Sequence, residues 1–431
     1  MAPTSAAKEP IATLTFEEEE GPRTRLKFAF ASGDEVPDVF FRDPRLIQQA
    51  WQSAGYYLGQ LVTNSPERPR SAEELNYPLS AMFNAGTQLG QRLAGGDAQR
   101  YAEVREAFRR SWPTWENPSR DQIPVVQLVA YDTSFPVELL PVFSNEEIRP
   151  LDNDGELATA TQRFLGFTAV IRRVAPGVSS MPDLLRNKQK LPIQFLRYLE
   201  PGRGLHRRRT WSGFEKEQEF MASLGEVLTV DGPWPTSPVT AKQVQQRLVA
   251  ALFDPSCRLG TTACPPAELA HFACHCETKG RIDDEYELIL SDEQGHRLPV
   301  TLGEIRTGYD KLVNPARQPG PRAPVMLNAC GTSTVNPWSG LSFQRWFIQN
   351  KHRAFIGTQA AIPDDVAADF AERFYRFLLG GYTFGESIVL ARRQLLADTR
   401  SLLGFLYVLF GNDLLEAEVK HPELLPASPV A

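Results

Sequence analysis

The first part of the chain shows one strand pattern followed by several helix patterns. Apolar and polar residues alternate on both sides of "EGPR", with Leu14 and Phe16 before it and Leu26 and Phe28 after it. This alternation predicts a β-hairpin. Residues 43–111 instead carry apolar side chains three or four positions apart, with Gly or Pro clusters between the repeats. That spacing predicts helices.

From about residue 190 the chain alternates short apolar strands with helix patterns. The strand patterns are "LPIQFLRYLEP", "EVLTVDG", "ELAHFACH", "APVMLNAC" and "RAFIGTQAAI". The clearest helix is "DDVAADFAERFYRFLLGG", and Thr383 with Glu386 can form a capping box for the next one. Such alternation is typical of a parallel sheet covered on both faces. We therefore predict an α/β fold.

Composition narrows the compartment and the partners. A net charge of -6 gives no basic excess for nucleic acid or an anionic membrane. The five cysteines are an odd number, which predicts free thiols in a reducing compartment. The N-terminus lacks a signal-peptide pattern, and the longest apolar stretch, 402–411, is half a membrane span. We expect a cytoplasmic protein without direct membrane contact.

Two neighbouring strand ends carry residues that are capable of chemistry. His275 and Cys276 end one strand pattern, and Cys330 ends the next. Reactive groups collect at the carboxyl ends of parallel strands. Alternation places His271 on the same face as His275 but deeper in the sheet, and Cys274 on the other face. We predict that His275 is exposed and that His271 and Cys274 belong to the core.

The pair His275 and Cys330 fits cysteine-protease chemistry. Such an enzyme needs a thiolate and an imidazole that the fold brings together. Caspase-like enzymes place the histidine roughly fifty residues before a cysteine in a Q-A-C-[RQG]-G setting. Cys330 stands in "LNACGTS", where the A-C-G core matches while Asn328 replaces Gln and Thr332 replaces Gly. Spacing alone leaves a structural cysteine as the alternative.

Seven segments in order resemble the CHAT family of the caspase–separase clan. They are "FPVELL", "HFACH", "LILSDEQGHRLPVTLGEI", "VMLNACGTS", "AFIGTQAAIPDD", "FAERFYRFLLGG" and "LARRQLL". The resemblance implies a caspase-like three-layer α/β sandwich with a mostly parallel central sheet. The expected domains are a hairpin and helical region (1–118), a degenerate first half (119–190), the catalytic half (191–415) and a tail (416–431).

The resemblance also implies a His–Cys dyad that cleaves peptide bonds without a cofactor or metal. By position, His275 matches the general base and Cys330 the nucleophile, with backbone N–H groups of Cys276 and Cys330 holding the oxyanion. Cys276 stands where relatives usually have Gly, which places full activity in question. Asp364 matches an acid that separases use to bind the residue before the scissile bond, so Arg or Lys is expected there. Asn328, in the place of the caspase Gln, is a second substrate-binding candidate.

Two alternative functions stay open. The chain could be an inactive scaffold on a protease fold, as Cys276 favours. It could also be a zinc-stabilised interaction module that uses the His and Cys residues of 271–276, although a straight strand points alternate side chains apart. Asp364, for its part, is also a natural cap for the helix after it.

The family further implies a biological setting. Bacterial CHAT proteases are commonly encoded beside the proteins they cleave, in defence or programmed-death systems where gasdermin-like pore formers are one substrate class. We expect a protein substrate and allow for an activating protein partner. The helical N-terminal region is expected to dock a partner or to hold the enzyme inactive.

Overall fold

A computed structural model describes most of the chain. It covers residues 8–19, 23–41, 44–115, 122–130, 135–143, 148–175, 181–186, 189–198, 213–235, 239–254, 266–278, 286–292, 294–312, 320–329 and 339–426. Structural statements below concern these residues.

Strands and helices alternate over most of this length. The strands are β1 (Ala12–Glu18), β2 (Thr24–Phe30), β3 (Val39–Phe41), β4 (Val125–Val129), β5 (Val170–Val174), β6 (Asp183–Leu185), β7 (Leu191–Arg197), β8 (Leu228–Trp234), β9 (Leu269–Thr278), β10 (Tyr286–Ser291), β11 (Arg297–Thr301), β12 (Val325–Ala329), β13 (Ala354–Thr358), β14 (Tyr407–Gly411) and β15 (Leu415–Ala417). The α-helices are α1 (Pro44–Asn64), α2 (Asn76–Leu93), α3 (Ala98–Ser111), α4 (Asp154–Thr161), α5 (Leu165–Thr168), α6 (Gly213–Ser223), α7 (Ala241–Phe253), α8 (Leu302–Leu312), α9 (Ser339–Gln349), α10 (Asp364–Leu379) and α11 (Phe384–Thr399).

The chain divides into two compact units. The first comprises Met1–Asp183, Tyr382–Leu415 and Pro426–Ala431, and the second comprises Leu184–Gly381 and Glu416–Leu425. This division departs from the expected domains. Residues 1–118 and 119–183 form one unit, and 184–190 group with the second unit. Residues 382–415, expected in the catalytic half, group with the N-terminal unit, and 416–425, expected as tail, group with the second unit.

The first unit contains a five-stranded sheet in the order β3-β2-β1-β4-β5. The predicted hairpin is confirmed: Leu14 pairs with Phe28 and Phe16 with Leu26 in antiparallel register. Strand β4 then lies parallel to β1, and β5 parallel to β4. The predicted helices of this region are α1, α2 and α3. The short helix α5 directly precedes β5.

Buried charges explain why α11 belongs to the first unit. Glu138 and Arg173 form an ion pair at 2.6 Å, with both side chains only 1% exposed. Arg392 of α11 has a guanidinium nitrogen 3.9 Å from the same carboxylate. Arg393 donates hydrogen bonds to two carbonyl oxygens of α5, at 2.6 and 3.1 Å. Because buried charges are costly without partners, these contacts hold α11 beside α5.

The second unit is built on parallel strands in the order β8-β7-β9-β12-β13. The hairpin β10–β11 adds to the far end of β9 in antiparallel register, where Leu288 pairs with Cys276 and Ile289 with His275. The first half of β9 pairs with β7 along one edge and with β12 along the other. Because it is enclosed in this way, its sequence is almost continuously apolar. The predicted mostly parallel sheet is confirmed.

Helices cover both faces of this sheet. Phe355 of β13 stacks on Phe347 of α9, with ring centroids 5.7 Å apart. Ala270 shares that face, since Ala270 and Phe355 both pair with Val325. His271, the next residue, points to the opposite face and bonds to α6 and α10. The three-layer α/β arrangement predicted from the sequence is thus present in this unit.

No helix within the described part of the chain is long and apolar enough to cross a membrane.

A buried histidine lies at the amino end of β13. His352 is 4% exposed, and its ring lies edge-on to Phe347 and Phe253 at centroid distances of 5.0 and 5.4 Å. Its Nδ1 donates to the carbonyl oxygen of Ala323 at 2.6 Å, and Nε2 has no partner. Burial lowers the pKa of His352 from 6.5 to about 3, because a protonated ring would leave a charged N–H without an acceptor.

This histidine predicts a pH-dependent stability. The unfolded chain takes up a proton at His352 below about pH 6.5, whereas the folded chain does so only near pH 3. The contribution of neutral His352 to the free energy of unfolding is complete above pH 6.5. It is lost as pH falls towards 3, by about 1.4 kcal/mol per pH unit. Urea unfolding of wild type and His352→Gln between pH 4 and 7 measures this. As pH falls below 6.5, the free energy of unfolding of wild type should decrease more steeply than that of His352→Gln by that amount. Equal pH dependence in the two proteins would contradict the assignment.

Candidate active site

The end of β9 separates the two histidines as the sequence predicts. His271 is fully buried, whereas His275 is half-buried. Cys274 and Cys276 are both buried, and neither is part of a disulfide. The alternation of a strand places His271 and His275 on one face and the two cysteines on the other. The core positions predicted for His271 and Cys274 are confirmed. His275, expected to be exposed, is half-buried.

Two aromatic rings hold the imidazole of His275. Tyr198, directly after β7, has its ring centroid 4.6 Å from that of His275. Phe214, in the first turn of α6, meets the imidazole edge-on at 5.3 Å. Both aromatic residues are buried, so the ring of His275 is confined on two sides by groups that cannot move independently of the core.

The parallel ladder between β9 and β12 sets the geometry of this edge. Ala270 pairs with Val325, and the register continues until Ala329 pairs with Cys274. His275 therefore directly follows the last residue of β9 that pairs with β12. Cys330, the predicted nucleophile, directly follows Ala329 in sequence but lies outside the described residues.

Asp364 lies beside the first turn of α6, the turn that contacts His275. It is the first residue of α10, and Pro363 occupies the N-cap position without a side-chain cap. The alternative role as N-cap is therefore wrong. A Cβ on Gly213 would lie 2.0 Å from the carbonyl oxygen of Asp364, so only glycine permits this approach of α6 to α10. Because Phe214 follows Gly213 and contacts His275, the first turn of α6 lies between Asp364 and His275.

Asn328 does not reach the surface. Its side chain is fully buried, and Nδ2 donates to Glu217 Oε1 at 2.8 Å and to the carbonyl oxygen of Ala367 at 3.1 Å. This geometry gives no support to direct contact between its side chain and a substrate.

Glu217 is a site residue that sequence reasoning missed. It is 1% exposed and contacts both His271 and Asn328. The pattern carried a clue: Phe214, Glu217 and Met221 share one face of α6 at helical spacing, and a carboxylate on an apolar face requires a buried partner.

Cys274 has the environment of a core thiol and not that of a reactive cysteine. No group of three or more His, Cys, Asp or Glu in the described residues could hold a metal ion. Burial raises the pKa of Cys274 well above its ordinary value, and the nearby Cys276 and Glu217 raise it further. Cys274 is thus held as a neutral thiol in the sheet.

Comparison with known proteins places the chain in a family. Residues 206–420, about half of the chain, match the family model of the CHAT domain. No curated protein matches the sequence. Two crystal structures of the Saccharomyces cerevisiae separase–securin complex, at 2.6 and 3.0 Å resolution, are similar at 12% and 11% identity, with TM-scores of 0.39 and 0.34. Each similarity covers 94% of this chain and 30% of the other chain.

The range matched by the family model contains parallel strands of the α/β sheet and a half-buried histidine at the carboxyl end of a central strand. The chain is a CHAT-domain protein.

Burial of Cys274 predicts selective thiol chemistry. Since only the thiolate reacts with iodoacetamide, Cys274 should be modified at least roughly 100-fold more slowly in the native protein than in urea. Mass spectrometry of the peptide containing Cys274, after timed alkylation at pH 8, measures both rates. Similar rates in the two conditions would contradict the buried, neutral thiol.

Proposed function

We propose that the protein is a cysteine endopeptidase that acts through His275 and Cys330. The parallel pairing of β9 with β12 carries this proposal. It joins Ala329 to Cys274, and His275 and Cys330 are the residues that follow these two in the sequence. A parallel ladder that continues by one residue brings the imidazole and thiol side by side.

The chemistry follows from these two groups. His275 takes the proton of the Cys330 thiol, and the thiolate attacks the scissile carbonyl carbon. The amine leaves with the proton that His275 holds, which gives a thioester. Water, deprotonated by His275, then releases the new carboxylate and the free thiol. No cofactor enters any step.

The oxyanion would be held by backbone N–H groups of Cys276 and Cys330. The absence of Gly at 276 is compatible with this role. Strand β9 runs through Cys276 to Thr278, so the backbone at 276 is extended, a conformation that any residue except proline adopts without strain. The side chain of Cys276 is buried and does not block the edge.

Asp364 is the proposed substrate-binding acid, with a preference for Arg or Lys before the scissile bond. It is half-buried and lies across the first turn of α6 from His275. The CHAT resemblance supports a protein substrate, an activating protein partner, and a cytoplasmic role in a bacterial defence or programmed-death system. A gasdermin-like pore former is the proposed substrate class.

Covalent labelling tests the dyad. An acyloxymethyl-ketone peptide with Arg at the reactive end should label wild type, and Cys330→Ala and His275→Ala should abolish labelling, since one removes the nucleophile and the other its base. Cys274→Ala and His296→Ala are matched controls, because Cys274 is a core thiol and His296 lies in the β10–β11 turn. Both should keep labelling within about threefold.

Two outcomes would count against this function. Labelling that persists in Cys330→Ala would place the nucleophile elsewhere. If probes with Arg, Asp and Leu at the reactive end all fail to label the wild-type protein, the endopeptidase proposal is contradicted and the inactive scaffold is favoured.

The role of Asp364 predicts a selective effect. Asp364→Asn should slow labelling by the Arg probe about tenfold, the value of one lost charge-assisted hydrogen bond, and leave the Leu probe unaffected. Asp365→Asn is the control. Asp365 is the next residue of α10 and pairs with Lys216 of α6. Equal slowing of both probes would show a general loss of structure instead of substrate recognition.

A further inference from the structure

The second unit contains a buried polar network that the proposed dyad does not use. Glu217 is its centre: Oε2 lies 2.6 Å from His271 Nε2, and Oε1 accepts from Asn328 Nδ2 at 2.8 Å. Tyr375 lies on the other side of the imidazole, with its hydroxyl 3.0 Å from Nδ1. Glu217 is 1% exposed, and the other three residues have no exposed surface.

The partners fix the direction of these hydrogen bonds. Because a carboxylate only accepts, Nε2 of His271 carries a hydrogen and donates to Glu217. Asn328 donates through its amide nitrogen to the second carboxylate oxygen and to the carbonyl oxygen of Ala367. Each oxygen of Glu217 is thereby satisfied, as burial of a carboxylate requires.

The network touches every element that presents a proposed functional group. His271 lies four residues before His275 on β9, and Asn328 lies two residues before Cys330 on β12. The carbonyl oxygen of Ala367 belongs to the first turn of α10, which Asp364 begins. Glu217 itself lies one helical turn after Phe214, whose ring contacts His275. One buried carboxylate thus connects β9, β12, α6 and, through Asn328, α10.

We propose that Glu217 is a positioning residue that, with His271 and Asn328, sets the carboxyl ends of β9 and β12 and the start of α10 relative to one another. This inference rests on the proposed function, since the groups it positions are those of the dyad. The network is not catalytic in its own right: His271 lies about 13 Å below His275 along the strand, and its side chain has no exposed surface.

The consequence is a measurable loss of thiol activation. Displacing the two groups of the proposed dyad by about an ångström would weaken proton transfer from thiol to imidazole, and such displacements lower reactivity by about 10- to 100-fold. Glu217→Gln keeps the size of the side chain but turns an NH₂ group towards a donor. Asn328→Leu removes both donors and keeps the volume.

The experiment measures iodoacetamide alkylation of Cys330 in the full chain between pH 5 and 9, followed by mass spectrometry of the Cys330 peptide. Wild type should react with a midpoint below that of a free thiol, about pH 8.5, and His275→Ala should restore the free-thiol midpoint. We expect Glu217→Gln and Asn328→Leu to raise the midpoint and to slow alkylation at pH 6.5 about tenfold or more. The double variant should react no more slowly than the slower single variant, because both act through one network.

Glu268→Gln is the matched control. Glu268 pairs with Arg353 at 2.7 Å and precedes the opposite end of β9, so it tests whether loss of any partly buried acid has the same effect. Equal midpoints for Glu217→Gln and wild type, or equal slowing by Glu268→Gln, would overturn the positioning role. Equal midpoints for wild type and His275→Ala would overturn the dyad itself, and the positioning role with it.

Discussion

The parallel ladder between β9 and β12 is the constraint on which the second unit depends. It pairs Ala270 with Val325 and runs in register to Cys274 and Ala329. Strand β7 pairs with the other edge of β9, so the base of β9 is fully enclosed and must be apolar. The ladder therefore confines polar side chains to the end of the strand or to positions where helices supply partners. His275 occupies the first kind of position and His271 the second.

Each unit contains a buried carboxylate that joins elements distant in sequence. Glu138 in the first unit pairs with Arg173 and approaches Arg392. Glu217 in the second unit joins His271 and Asn328. Breaking such a network is costly because each remaining partner would stay buried and unpaired. In both units the carboxylate thereby selects one arrangement of helices against strands.

Helix α6 combines the packing and the chemistry of the proposed site. Gly213 allows the helix to approach the backbone of Asp364, Phe214 packs on His275, and Glu217 binds His271. Residues three apart share a helix face, so a single turn reaches both histidines. The short first turn of α6 thus determines how the imidazole is oriented and which acid lies near it.

The sequence by itself determined the elements of the fold, because hydrophobic period and turn chemistry are local properties. It showed the hairpin of β1 and β2, the parallel α/β pattern, and the order of His271 and His275 along β9. Tertiary structure alone decided that α11 joins the first unit, that Glu217 is the partner of His271, and that Asn328 is enclosed instead of facing a substrate. These outcomes depend on which distant groups satisfy a buried charge, and no local pattern encodes the identity of such a partner.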